Sequence, residues 1–395
     1  MRKYKVLHLT NFLDLSGQQE DTLNTCIYLN QDRFETSLAA NMAGGYGFDN
    51  ILAREAKEVP HVKIIDVPNL RRFPRPWHDL LALRDLYRLM KQERYDIVHM
   101  HATKVGFLGR LAARLAGVPI SILAVHGWSF QYTGTTEAVR RFFLLLEKAM
   151  APLTDKYTTL TQTLANDALK AGVGKVEQYA VTFSGINLDA YRNVPVDIQK
   201  KRAELGLPAS GPIIGTVTIM NRHKGVDDII RAAPLILRAV PDAHFLLVGD
   251  GEAMPVVRQL VQELNLENKV TLTGLRRDVP ELLPLMSTFV HMAWFEILPR
   301  AILQALAAGV PVVVADAGSV GEIMTDGYNG YVVPTHDYQA LADRVIKLLT
   351  QPESRQRMSE AAVQSVSKDF TFTLANMIET TEKVYDDLIA SKVKE

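Results

Sequence analysis

Short, continuous apolar runs recur along the whole chain, with segments of helical periodicity between them. In the first half the runs are Lys5–Thr10, Thr36–Asn41, Val62–Val67, Ile97–His101, Ile120–His126 and Lys156–Leu160. Apolar runs of this length without polar alternation suit strands buried on both faces of a parallel sheet. A second series follows: Ile213–Thr218, His244–Val248, Val270–Thr273, Thr288–His291, Val310–Ala315 and Gly330–Val333. Between these lie the helix patterns Val226–Ala239, Pro255–Leu264 and Tyr338–Leu349. Alternating strand and helix predicts an α/β protein with parallel sheets and right-handed crossovers, in two successive doubly wound, Rossmann-like copies. The stretch Asp189–Gly211 carries Pro195, Pro208 and a polar run but no strand pattern, so the domain boundary is expected there. That gives domains over 1–190 and 191–370. Phe372–Ala390 is a lone amphipathic helix with no strand after it, able to pack on either domain.

Length supports two cores: the chain has 395 residues, and single cores stop growing near ~250–300 residues. The charge is balanced, with 44 basic and 44 acidic side chains, which argues against a general nucleic-acid binder. A lone cysteine, Cys26, rules out an internal disulfide framework and fits a reducing cytoplasm. The opening MRKYKVLHLTNFLDL is interrupted by Asn11 and Asp14 and lacks a small-residue cleavage site, so it reads as a first strand. No run reaches the ~18 apolar residues that span a bilayer. The expectation is a soluble or peripheral cytoplasmic protein. Between Arg71 and Arg114, ten basic side chains face four acidic ones, with Phe73 and Trp77 near the start. This pattern fits either contact with an anionic membrane or a solvated basic face with buried aromatics.

Candidate chemistry gathers after strands, where open α/β sheets bind ligands. In AWFEILPRAILQALAAGVPVVV, Glu296 precedes Pro299, a residue suited to the first helical position because the N–H it lacks has no partner there anyway. Gln304 follows eight residues after Glu296, just over two helical turns, and Gly309-Val310-Pro311 closes the helix. The N–H groups of Arg300 and Ala301 then lie at a helix N-terminus suited to phosphate. Lys224 follows the strand Ile213–Thr218 ahead of Gly225 and a helix, with Arg222 in the same loop, and can meet a diphosphate as a point charge. His126 ends a strand beside Gly127-Trp128, placed either to touch a ligand hydroxyl or to pack on the indole. Gly17, in the loop after the first strand, lets backbone approach a phosphate. His99 and His101 share one strand face, but no cysteine or third histidine is near enough to suggest zinc. Gly249-Asp250-Gly251 reads as turn chemistry. Walker A, nucleophile-elbow and Gly-x-Gly-x-x-Gly fingerprints are missing at the first strand–helix turn, so kinase, hydrolase and dinucleotide oxidoreductase readings lack support.

Together these segments resemble the retaining glycosyltransferases of family 4, which have the GT-B fold. HMHATKVGFLGRLAARLAGVP and AVHGWSF resemble the family's first domain, and TFSGINL its pre-linker strand. NRHKGVDDIIRAA, FLLVGDGE, LTGLRRDVPELL and FEILPRAILQALAAGVPVVVADAG resemble its nucleotide-sugar domain. The resemblance implies two domains facing across a cleft, with the last helix, 371–395, crossing back onto the first, acceptor-side domain. It also implies metal-independent transfer from a nucleotide-diphosphate sugar, a UDP-sugar, to a glycan or lipid-linked acceptor in bacterial polysaccharide synthesis. Lys224 would contact the diphosphate, Glu296 the sugar hydroxyls, and Arg300 and Ala301 the phosphates through their N–H groups. Gly17 would approach the phosphates from the first domain and His126 would meet the sugar. The chain departs from the family pattern at Gln304, usually a second glutamate, and at Thr218 and Ile219, where an arginine is usual. Ile297 replaces a usual glycine, and the first loop keeps only Gly17 of a glycine pair. An active transferase and a catalytically weakened homologue that binds a glycan or a partner are both compatible with these residues.

Overall fold

The computed structural model describes residues 2–14, 16–43, 51–71, 73–132, 134–367 and 371–393. The chain forms two compact units, Met1–Gly185 with Ala375–Glu395, and Ile186–Leu374. The division lies just ahead of the Asp189–Gly211 stretch. Ile186 is tied to the returning chain, its N–H donating to the Phe372 carbonyl and its own carbonyl accepting from Leu374. The proline-marked stretch is not bare linker either. It holds the helix Ile198–Glu204, capped by Asp197 and anchored where Lys201 pairs with Asp278 and Glu281 at 3.0 and 2.6 Å.

Among the described residues of the first unit, seven strands form one parallel sheet: β1 (Tyr4–Phe12), β2 (Phe34–Asn41), β3 (Val62–Asp66), β4 (Ile97–His101), β5 (Ile120–Val125), β6 (Lys156–Thr159) and β7 (Tyr179–Val181). Their order is β3-β2-β1-β4-β5-β6-β7, so the winding reverses between β1 and β4. The pre-linker strand is β7, paired with Tyr157–Thr159. It lies ahead of TFSGINL, which has no strand beyond a single bridge from Ile186 to Thr373. The helix Leu374–Lys392 packs on this sheet. Its Val384, Tyr385, Leu388 and Ile389 join Val6, Ile97, Ile120 and Ile122 in one buried cluster. Burying such side chains contributes roughly 1.5–3 kcal/mol each, which holds the helix far more firmly than its propensity does. The fully buried Arg110 bonds both carboxylate oxygens of Glu147, the Thr154 hydroxyl and the Gly106 carbonyl. It therefore adds nothing to a basic surface.

The second unit repeats the plan with β8 (Ile213–Val217), β9 (His244–Val248), β10 (Val270–Leu272), β11 (Thr288–His291), β12 (Val312–Ala315) and β13 (Gly330–Val333). Among the described residues their order is β10-β9-β8-β11-β12-β13, all parallel, reversing between β8 and β11. Phe245, Leu247, Val290 and Val313 pack against Ile229, Ile230 and Val345 of the flanking helices, Val226–Ala239 and Tyr338–Thr350. Among the described residues, no helix is long and apolar enough to cross a membrane.

Candidate functional site

The switch point of an open parallel sheet leaves a crevice at the carboxyl ends of two neighbouring strands whose connections run opposite ways. In the second unit these strands are β8 and β11. After β8 the chain makes a 3₁₀ turn, Arg222–Lys224, and after β11 it enters the loop that carries Glu296. The two loops are laced together. Trp294 N–H donates to the His223 carbonyl at 2.8 Å, and Gly225, at φ 60°, packs so closely that a Cβ would lie 1.9 Å from the Met292 carbonyl oxygen. Gly318, also at φ 60°, lets the loop after β12 close on the Glu296 backbone, where a Cβ would lie 1.6 Å from its carbonyl oxygen. Only glycine fits either position, because side chains rarely adopt this backbone and have no room here.

This lacing brings Lys224 and Glu296 together across 72 residues: the ammonium donates to Glu296 Oε2 at 2.6 Å. His291, the buried last residue of β11, donates from Nε2 to the same oxygen at 3.0 Å. Oε1 meets Ile297 N–H at a long 3.4 Å. Burial alone would raise the Glu296 carboxyl, but the Lys224 charge and the His291 hydrogen bond outweigh it and hold the group well below the usual carboxylate range. The site therefore presents an ionised carboxylate with one oxygen held and the other nearly open. Sequence reasoning did not find His291. The available signal was a polar residue ending an otherwise apolar run at a strand's carboxyl end.

The helix after Glu296 is Arg300–Ala307, and Pro299 is its N-cap at φ −73°, ψ 107°, not its first helical residue. The extended proline turns the chain into the helix. The N–H groups of Ile302 and Leu303 return to the Pro299 carbonyl, and those of Arg300 and Ala301 come first in the helix. Gln304 lies on this helix and its amide donates to the Tyr191 hydroxyl at 2.8 Å. Tyr191 is a second neighbour that spacing did not reveal. Arg222 shares the turn with Lys224, but its side chain is exposed and bonds to no described residue.

In the first unit Gly17 is the first residue of the helix Gly17–Tyr28, with Ser16 at the N-cap position, rather than a loop residue. The neighbouring Gln18 amide donates to the His101 carbonyl at 2.6 Å, tying this helix start to the end of β4. His126 follows β5 with its ring 5.8 Å from that of His101; Trp128 instead donates to the Leu164 carbonyl and stacks on Phe130. His99 and His101 do have a third histidine. His8 lies opposite His99 on β1, and the three rings share one buried cluster with nitrogen atoms within 4.8 Å of one another. The pairing of β1 with β4, unreadable from local spacing, is what supplies it. Five of the six ring nitrogens already have hydrogen-bond partners. His8 Nδ1 meets His101 Nε2 at 3.0 Å, the Tyr385 hydroxyl meets His99 Nδ1 at 2.8 Å and His8 Nε2 at 3.5 Å, and His99 Nε2 meets the Thr158 hydroxyl at 3.2 Å. The cluster is a hydrogen-bonded chain of neutral imidazoles. Burial pushes His8 down to about 3 and holds His99 and His101 well below the usual range.

Residues 16–182 match the family model described as "Glycosyl transferase 4-like domain", and residues 197–365 match "Glycosyl transferases group 1". Over 396 residues the chain is 27% identical to UDP-Gal:alpha-D-GlcNAc-diphosphoundecaprenol alpha-1,3-galactosyltransferase of Escherichia coli, covering 99% of this chain and 98% of that one. It is 26% identical to N-acetyl-alpha-D-glucosaminyl L-malate synthase of Bacillus anthracis, covering 80% of this chain and 81% of that enzyme. Among solved structures, HepE of Anabaena in complex with UDP and glucose superposes with a TM-score of 0.81 at 21% identity, covering 97% of this chain and 100% of that one. Sucrose-phosphate synthase of Thermosynechococcus elongatus superposes with a TM-score of 0.84 at 20% identity, covering 99% and 100%. Two doubly wound parallel-sheet units, each matched in order by its own family model, make this chain a glycosyltransferase of the family 4-like type with the GT-B fold.

Proposed function

We propose that this protein transfers a hexose from a UDP-sugar to a glycan or lipid-linked acceptor, with retention of anomeric configuration, in bacterial polysaccharide synthesis. The observation that carries the reading is the Lys224–Glu296 pair at the β8/β11 switch point. Lys224 turns to the diphosphate, Arg222 and the N–H groups of Arg300 and Ala301 share its charge, and Glu296 takes the sugar hydroxyls. Gln304 serves nucleotide affinity; its amide both donates and accepts, as a ribose requires. In the first unit, Gly17 at its helix start serves phosphate approach and His126 serves the sugar. These groups provide for the leaving diphosphate without a metal ion. Support for the donor and acceptor classes comes from the Escherichia coli relative, whose name specifies UDP-Gal and a diphosphoundecaprenol-linked acceptor, and from HepE, which holds UDP and glucose.

The test is thermal shift against a panel of nucleotide sugars, followed by transfer assays with EDTA present, since a ligand that binds only the folded state raises apparent stability. Glu296→Gln should lower turnover at least tenfold, about 1.4 kcal/mol of transition-state stabilisation, because it loses the charge that orders shifting hydroxyls. Gln304→Glu should leave turnover within a few-fold. A wild type that transfers from no donor, while Gln304→Glu combined with Ile219→Arg does, would establish the weakened homologue instead.

The first unit also carries a surface suited to an anionic membrane. Phe73, Trp77 and Leu80 are 66%, 80% and 57% exposed, so the aromatics are not buried as a purely solvated face would have them. Arg71, Arg75, Arg84, Arg88, Lys91, Arg94 and Arg114 are exposed; Arg110 is buried, Lys104 pairs with Asp79, and Arg72 lies outside the described residues. Co-sedimentation with phosphatidylglycerol vesicles is expected at low salt and lost as salt rises, since such attraction falls off within a Debye length. Failure to sediment at low salt would retire this surface.

A further inference from the structure

We infer that His291 is a positioning residue for Glu296: its Nε2–H fixes Oε2 of the carboxylate and keeps Oε1 turned outward when Lys224 leaves for a diphosphate. The inference deepens the proposed function and rests on it for the role of Lys224. Both donors meet one oxygen, Lys224 at 2.6 Å and His291 at 3.0 Å, while Oε1 has only the long Ile297 contact among the described residues. A lysine on a flexible stem can follow a phosphate. An imidazole buried at the end of β11 has no such reach, and it becomes the remaining side-chain donor to Glu296.

The strand itself shows that this imidazole is not filler. Thr288, Phe289 and Val290 before it are buried, and His291 is buried with them. An ionised carboxylate only accepts, so His291 Nε2 carries the proton that meets Glu296. Nδ1 is buried and meets no hydrogen-bond partner among the described residues. Burying an unpaired ring nitrogen is unfavourable, and a leucine would fill similar space without it. The residue is therefore explained by what Nε2 does.

The experiment compares His291→Leu with His291→Gln, whose amide can donate from near the Nε2 position. In transfer or donor-hydrolysis assays with UDP-hexoses, His291→Leu should lower kcat about tenfold. UDP affinity by calorimetry should stay within twofold, because UDP carries no hexose for Glu296 to hold. His291→Gln should recover most of kcat. Normal turnover in the leucine variant, an equal loss in the glutamine variant, or a matching loss of UDP affinity would each overturn the inference.

A second readout needs no activity. In carbon-13-labelled protein, with the Glu296 signal assigned through Glu296→Gln, His291→Leu should raise the pH at which that carboxyl titrates, and His291→Gln should raise it less. An unmoved titration overturns the positioning role even in a protein that transfers nothing. Absence of transfer by the wild type counts against the proposed function alone.

Discussion

Lys224→Ala should weaken UDP binding by roughly ten- to hundredfold, the equivalent of losing one charge-assisted hydrogen bond at about 1.5–3 kcal/mol. In the structure the ammonium is spent on Glu296 Oε2 at 2.6 Å. A diphosphate carries more charge than one carboxylate and, under the proposed function, should displace it. The lysine is thus a transferable charge, and its removal should act on nucleotide affinity as well as on turnover. The same variant should raise the Glu296 carboxyl, because the Lys224 charge is the leading influence that offsets burial there. Calorimetry with UDP reads the first effect. Unchanged affinity would remove Lys224 from the diphosphate site whatever happened to activity.

Acid should destabilise this fold earlier than carboxylate titration alone predicts. His8, His99 and His101 are neutral in the folded protein because burial lowers their affinity for protons, to about 3 for His8. Unfolded, each takes up a proton near pH 6.5. Between those limits the unfolded state binds more protons, so stability is fully present above about pH 6.5 and falls as pH drops toward the folded values. Each histidine contributes up to about 1.4 kcal/mol per pH unit, so three together approach ~4 kcal/mol per unit. Against a typical net stability of ~5–15 kcal/mol, that is enough to unfold the domain within a few units. Urea denaturation between pH 7.5 and 4.5 measures the slope. His101→Leu should reduce it by about one histidine's share, and a flat profile from pH 7 to 5 would show that the folded cluster takes up as many protons as the unfolded chain and is not held neutral.

Strands buried on both faces were the legible part of this chain. Ile97–His101, His244–Val248, Thr288–His291 and Gly330–Val333 have the same limits in sequence and structure, because an uninterrupted apolar run has few other places to go. The edge strand Tyr179–Val181 escaped because three residues make no run, and its pairing depends on Tyr157–Thr159. At the site, the strand-end positions of Lys224 and Glu296 were readable, but their contact was not. It depends on β8 lying beside β11 and on Gly225 and Gly318 admitting close backbone. The same limit hid His8 from His101, 93 residues apart, and Tyr191 from Gln304, 113 apart. Local patterning specifies elements; strand order decides which of their ends meet.

The helix Leu374–Lys392 gives this protein an unusual order of assembly on the ribosome. The second unit is one uninterrupted segment, Ile186–Leu374, and can close as soon as it emerges. The first unit begins earlier yet lacks the side chains that roof its sheet until Val384, Tyr385, Leu388 and Ile389 have been made. Tyr385 is also the hydroxyl that joins His8 to His99. Throughout elongation the nascent first half carries an uncovered apolar face and an interrupted histidine chain, the kind of surface that chaperones hold. The half made first is therefore the half that finishes last.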